Sequence, residues 1–167
     1  AKKTIRCVGK ASERMQEDAL RILRALRFHC TLHFTIEEET VQAIRTHAHL
    51  LSYISRERIR EEFNRILLQD YPDTLQLLKE MRVLDTIAAG YTKLMNKEQN
   101  NPWHIYDVFT HTDVALNHTK GMALEGKLAI IFHDTGKPAC ETLDADGISH
   151  YYGHAQKSVE LARCWLK

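Results

Sequence analysis

The chain has 167 residues, 44% of them hydrophobic, with 23 Lys+Arg against 22 Asp+Glu. That length allows one domain or two small ones with an ordinary core, and no apolar run approaches the roughly 18–20 residues that a membrane-spanning helix needs. Cys7, Cys30, Cys140 and Cys164 form no Cys-x-x-Cys pair, which argues against a disulfide scaffold or zinc knot and for a reduced, cytoplasmic setting.

The near-neutral total hides an asymmetry. Residues 1–30 hold eight Lys+Arg and three Asp+Glu, whereas residues 31–100 hold nine against eleven and residues 101–167 six against eight. A basic N-terminal segment points to an anionic partner there.

A first helix is predicted over about 12–30. Its run Glu17–Phe28 sets Asp18, Arg21, Arg24 and Arg27 three residues apart. Each such step turns the side chain back by about 60°, so the charges spread across one half of the helix. Ala19, Ile22, Leu23 and Leu26 form the opposite, apolar arc. A carboxylate beside guanidinium groups on a buried support can read a polar base edge or hold phosphate oxygens. The plain alternative is a solvated face with weak i,i+3 pairs. The uniform use of Arg, with Arg6 and Arg14 just upstream, favours the first reading.

A second helix is expected from Thr35, where Thr35-Ile36-Glu37-Glu38 has the form of a capping box, to about residue 49. A third, over 55–70, carries Ile59, Phe63, Ile66 and Leu67 at helical spacing, with Arg58 and Glu62 one turn apart. Pro72 suits the first turn of a fourth, to about 82, bearing Leu75, Leu78 and Met81. A short helix over 84–89 follows.

These residues resemble a known family. Ile5-Arg6-Cys7-Val8-Gly9, Glu13–Arg21, Leu32–Ile36 and Ile54–Glu62 are similar to the neck of bacterial tRNA nucleotidyltransferases (CCA-adding enzymes) and the related poly(A) polymerases. One departure is Lys10-Ala11, where members often have Asp-Pro after Val-Gly. The resemblance implies that Asp18 and Arg21 are a protein template for the Watson–Crick edge of CTP or ATP. It places Arg24 and Arg27 on nucleotide or phosphate, with Arg14, Arg58 and Glu62 as supports. It further implies CCA addition to tRNA 3′ ends, with Mg²⁺ as cofactor and tRNA held through its phosphates.

The polymerase head of that family carries a Gly-Ser motif and paired Asp residues for two metal ions. The chain has no Gly-Ser pair, and its only Asp-x-Asp, Asp144-Ala145-Asp146, sits in a Gly-containing turn. The chain is therefore expected to start just after the head and, alone, to transfer no nucleotides. Poly(A) synthesis or A addition is an alternative for the whole protein, and a tRNA-binding body without chemistry is the non-enzymatic one.

Gly90 and the polar stretch 96–101 mark a boundary, giving domains 1–95 and 96–167. Asn101-Pro102 signals a helix start, and helices are expected over 103–118, 123–134 and 154–167. Asp146-Gly147, between 140–143 and 148–152, is a hairpin signal. The fold class is all-α, with room for one small β-hairpin.

The second half holds His111, then His133-Asp134 leading into Thr135-Gly136-Lys137-Pro138, then Gly153-His154. This resembles the HD domain of one group of CCA-adding enzymes and, more widely, HD metal-dependent phosphohydrolases. Adjacent His and Asp cannot share a regular helix face, but they can converge where a helix ends, as Gly136 and Pro138 allow. The resemblance implies a divalent-metal site at His111, His133, Asp134 and His154. Such ligands suit Mn, Fe, Ni or Zn, which can activate water against a phosphoester, with Lys137 near phosphate. His104, His118 and His150 read as structural. HD hydrolases use a further Asp on a later helix, and none follows Asp146. Hydrolysis is therefore the less favoured reading: the HD domain is expected to be either truncated or degenerate at its metal site, and in the second case a spacer or RNA-facing module.

Overall fold

The computed structural model describes residues 3–92 and 106–166. The chain divides into two compact units, Ala1–Ala89 and Gly90–Lys167. The described residues are mostly helical with two very small sheets, as an all-α fold with a hairpin requires. No described helix is long and apolar enough to cross a membrane. The boundary stretch 96–101, the Asn101-Pro102 signal and His104 lie outside the described residues.

The first unit contains β1 (Thr4–Ile5), α1 (Ala11–Glu17), α2 (Leu20–Leu32), β2 (Thr35–Ile36) and α3 (Glu38–His47). After a 3-10 turn over Ala48–Tyr53 come α4 (Arg56–Leu67), α5 (Thr74–Glu80) and α6 (Leu84–Ile87). β1 pairs in parallel with β2, Thr4 opposite Thr35 and Ile5 opposite Ile36. Thr35 and Ile36 therefore belong to a strand, not a capping box. α3 starts three residues later than Thr35 and has Glu37 as an N-cap without a side-chain bond. The single helix expected over 12–30 is two helices. α1 ends at Asp18, whose backbone is extended (φ −151°, ψ 101°). Pro72 precedes α5 rather than starting it, because Asp73 adopts a left-handed conformation before Thr74.

α1 packs on α3 and α2 on α4. Met15, Ile22, Leu23, Leu26, Ile44, Leu51 and Ile66 are fully buried between them. Each large apolar side chain removed from water contributes about 1.5–3 kcal/mol, which fixes the charged positions on the same helices. α2 ends where His33 turns left-handed (φ 53°) and its N–H bonds the His29 carbonyl at 2.9 Å.

The second unit contains α7 (Val108–Asn117), α8 (Leu124–Phe132), α9 (Lys137–Cys140), β3 (Thr142–Leu143), β4 (Ser149–His150) and α10 (His154–Trp165). Asp107 caps α7, its carboxylate accepting the Thr110 N–H at 2.6 Å. β3 and β4 form the antiparallel hairpin that Asp146-Gly147 predicts, with Gly147 at φ 75°. Tyr91 is fully buried, donates its hydroxyl to the Ile131 carbonyl at 2.7 Å, and sets its ring edge-on to Phe132 and Trp165. These contacts fix the end of α8 and hence the His133-Asp134 step that follows it.

Candidate nucleotide and metal sites

The break between α1 and α2 places Asp18. Its Oδ1 accepts the Leu20 N–H at 3.1 Å, a local bond two residues on that fixes the carboxylate just before the Ala19 N-cap of α2. Its Oδ2 faces Arg58 Nη2 on α4 at 3.4 Å. The Asp18 side chain is 31% exposed and that of Arg21 34%. Both therefore reach solvent from supported positions, although Asp18 sits at a junction and not on the continuous face expected.

Arg21 Nη1 donates to the Arg14 carbonyl and to Glu17 Oε2, each at 2.9 Å. Arg14 Nη1 donates to the same Glu17 oxygen at 2.7 Å. The hydrogen bond from Arg21 outweighs the opposing effect of desolvation and, with the bond from Arg14, holds the Glu17 carboxyl below its usual range. A guanidinium has five N–H groups, so these two bonds at one nitrogen leave Arg21 with further donors. Glu17 was not singled out in the sequence, although its i,i+4 spacing to Arg21 is a legible pairing signal.

The other arginines divide. Arg24 is exposed and pairs with no acidic group among the described residues. Arg27 Nε donates to Glu62 Oε2 at 2.7 Å, with side chains 20% and 8% exposed. Arg65 Nη1 lies 3.6 Å from the other Glu62 oxygen. Arg58 and Glu62, one turn apart on α4, thus tie α4 to Asp18 and to Arg27 respectively.

In the second unit, the chain leaves α8 at His133, and Asp134 turns inward until its side chain is only 4% exposed. Three imidazole Nε2 atoms surround it. His133 lies 3.1 Å and His111 3.8 Å from Oδ2, and His154 lies 3.6 Å from Oδ1. Ligand atoms of His111, His133 and Asp134 all fall within 4.8 Å of one another. His133 Nδ1 donates to the Ile130 carbonyl at 2.6 Å and His154 Nδ1 to the Tyr151 carbonyl at 2.7 Å. Because a carbonyl only accepts, each Nδ1 carries a proton, which turns each Nε2 toward Asp134; in the metal-free chain protonated His133 also donates its Nε2–H to Asp134, and loss of that proton opens the Nε2 lone pair to a metal. This donor set fits a divalent metal: imidazole nitrogens and one carboxylate, with ring orientation fixed from behind.

Lys137 departs from its expected place near phosphate. It is buried, with Nζ 2.8 Å from Asp134 Oδ2. Burial works to raise the Asp134 pKa, but hydrogen bonds from His133 and Lys137 outweigh it and hold the carboxyl well below the usual range. The Asp134 hydrogen bond, opposed by burial, raises the His133 pKa. Burial lowers that of His111, with the Asp134 charge opposing it. His118 is exposed at the end of α7, and His150 Nε2 bonds Asp144 Oδ2 at 2.9 Å within the hairpin.

Gly136 brings His154 close. Its N–H donates to Ser158 Oγ on α10 at 2.9 Å, and a Cβ there would overlap the His154 carbonyl oxygen. A side chain at 136 would therefore push the first turn of α10 from Asp134.

The family described as "Probable RNA and SrmB-binding site of polymerase A" matches residues 33–94. The chain is similar to a CC-adding tRNA nucleotidyltransferase of Thermus thermophilus, 32% identical over 169 residues, covering 93% of this chain and 39% of that protein. A CCA-adding enzyme of Streptococcus uberis is 54% identical over 67 residues, 40% of this chain and 17% of that protein. The crystal structure of the Bacillus stearothermophilus CCA-adding enzyme in complex with CTP superposes with a TM-score of 0.54 and 25% identity, covering 99% of this chain and 47% of that one. The chain thus spans less than half the length of these relatives.

Proposed function

Because the chain belongs to the tRNA nucleotidyltransferase and poly(A) polymerase family, we propose that it is the base-selecting and tRNA-holding part of an enzyme that adds CCA to tRNA 3′ ends from CTP and ATP. The observation that carries this reading is the Asp18 carboxylate, fixed between the Leu20 N–H and Arg58 yet still open to solvent, with Arg21 one turn on. Cytosine and adenine share an exocyclic amino donor where uracil and guanine carry a carbonyl oxygen. A carboxylate accepts from the first pair and repels the second. An arginine donor beside it complements the ring-nitrogen acceptor of the same two bases. A template of this kind selects C and A together, which is the nucleotide set that CCA addition needs.

Arg24, exposed on the same helix, is the phosphate-facing member of the arginine row, while Arg27 serves with Glu62 as a tie. tRNA contact is assigned to the region 33–94 through phosphate neutralisation. The transfer step would use Mg²⁺ on paired carboxylates in the rest of the full-length protein, so the 167-residue chain alone extends no tRNA. Sequencing the products that the full-length protein makes on tRNA lacking its tail, with CTP and ATP supplied, tests the assignment. CCA ends are expected, and A-only or poly(A) ends would overturn it. A second reading, CC addition, is favoured by the relative that aligns over 93% of the chain, and it predicts products ending in CC with ATP unused.

The centre of His111, His133, Asp134 and His154 is assigned to one divalent transition metal in an HD-type domain, on the strength of three Nε2 atoms gathered on one buried carboxylate. When bound, such an ion supplies Lewis acidity and an activated water. Lys137 fixes the carboxylate, and the Ile130 and Tyr151 carbonyls fix the rings. Metal analysis tests this: one equivalent in the wild-type chain, lost in His133→Ala, is expected, and a metal-free protein after incubation with Mn²⁺, Co²⁺ and Zn²⁺ would refute it.

A further inference from the structure

Tyr151 is a neighbour of the His–Asp centre whose side chain has no role so far. It follows β4, and strand alternation turns Ser149 and Tyr151 toward the protein and His150 and Tyr152 outward. Ser149 is fully buried, whereas Tyr152 is 78% exposed and stacks on His150 at 5.5 Å. Tyr151 touches the centre twice. Its main-chain oxygen accepts the His154 Nδ1–H at 2.7 Å. Its ring faces Lys137 Nζ at 5.5 Å, the ammonium that lies 2.8 Å from Asp134 Oδ2. Its hydroxyl is buried with no hydrogen-bond partner among the described residues, so the ring and the main chain, not the phenol oxygen, make both connections.

We propose that Tyr151 is a positioning residue of the His–Asp centre, holding Lys137 against one oxygen of Asp134 with its ring and His154 before the other with its main chain. The inference rests on the reading of that centre as a metal site. An aromatic face attracts a cation most strongly where water is excluded, and Lys137 is only 6% exposed. An ammonium pinned on Oδ2 fixes the carboxylate rotamer and leaves Oδ1 presented to His154. Without the ring, Lys137 and the segment carrying the 151 carbonyl are both released, and two of the groups around Asp134 lose their bearing.

The test is Co²⁺ titration of the 167-residue chain, followed by visible absorption and equilibrium dialysis. Tyr151→Leu is expected to bind Co²⁺ about tenfold more weakly, the lower end of losses seen when groups behind metal ligands are removed, with an altered ligand-field spectrum. Tyr151→Phe, which keeps the ring, is expected to restore wild-type affinity and spectrum. In the metal-free chain, ¹⁵N shifts should report Nδ1-protonated His154 in wild type and Tyr151→Phe, and a tautomer mixture in Tyr151→Leu. Wild-type behaviour of Tyr151→Leu would overturn the positioning role and leave the metal site standing. An equal loss in Tyr151→Phe would overturn it by moving the role to the hydroxyl. Absence of Co²⁺ binding by wild type would sink both readings together. If Tyr151→Leu does not fold, Lys137→Gln carries the test: a similar loss supports the link from ring to cation to carboxylate, and unchanged affinity overturns it.

Discussion

Replacing Gly136 with Ala probes the packing on which the second centre depends. The new Cβ would overlap the His154 carbonyl oxygen and lie 2.7 Å from the Ser158 nitrogen and 2.9 Å from Lys157 Cβ. The first two are backbone atoms and cannot rotate away, so α10 must move. Overfilling a packed site costs about 1–3 kcal/mol. Moving α10 also stretches the buried Gly136 N–H bond to Ser158 Oγ, and an unpaired buried donor costs about 1–3 kcal/mol more. A loss of roughly 2–6 kcal/mol in the second unit follows, enough to lower its melting temperature by roughly 10 °C or more in a unit of that size. His154, in the displaced turn, would leave its 3.6 Å approach to Asp134 Oδ1, so Co²⁺ affinity should fall with stability. Thermal melts followed by circular dichroism, with Co²⁺ titration at a temperature where the variant is folded, measure both. Ser158→Ala is the control that removes the bond without the clash, and it should cost only the unpaired-donor share, about 1–3 kcal/mol. A Gly136→Ala chain with wild-type melting temperature and Co²⁺ affinity would refute the close-approach argument.

Two further outcomes are expected. Glu62→Gln removes the buried charge that faces Arg27 at 2.7 Å, and because Gln keeps an acceptor and water reaches Arg27, the loss should be about 1–3 kcal/mol in urea melts; an unchanged midpoint would show that the pair anchors nothing. In the metal-free chain followed by NMR, His133 should titrate above, and His111 below, the ordinary histidine value of about 6.5. The His133 contribution to stability is complete below that value and is lost as pH rises through the raised folded value, whereas partly exposed His111, its folded value lowered, opposes folding increasingly as pH falls below the ordinary value. Asp134→Asn should bring His133 back down, and an unmoved His133 would contradict the ion pair.

Helix positions were legible because apolar residues recur at helical spacing, as in Ile22, Leu23 and Leu26. The break at Asp18 was not, because the spacing of Asp18, Arg21, Arg24 and Arg27 fits an unbroken helix equally well. The competing signal was an Asp able to accept the backbone N–H two residues on, just before a Leu-rich run, reinforced by a bond to Arg58, 40 residues away. The β1–β2 pair escaped notice because its two-residue strands lie about 30 residues apart and carry no local pattern, so Thr35 read as a cap. His133-Asp134 stood out through its resemblance to the HD motif and the helix stop expected near Gly136; the helix ends at Phe132, and Pro138 lies in the first turn of α9. What Lys137 does was not, because its burial depends on Tyr151 and α10, which meet it only in three dimensions.

The most direct test of the central claim is nucleotide choice by the full-length protein carrying Arg21→Ala, measured as single-turnover incorporation of CTP against UTP and of ATP against GTP, beside tRNA affinity by gel shift. Loss of one base-reading contact should cut discrimination by about 10- to 100-fold while the tRNA Kd stays at its wild-type value. Unchanged discrimination, or an equal loss in nucleotide choice and tRNA affinity, would contradict a template at Asp18 and Arg21.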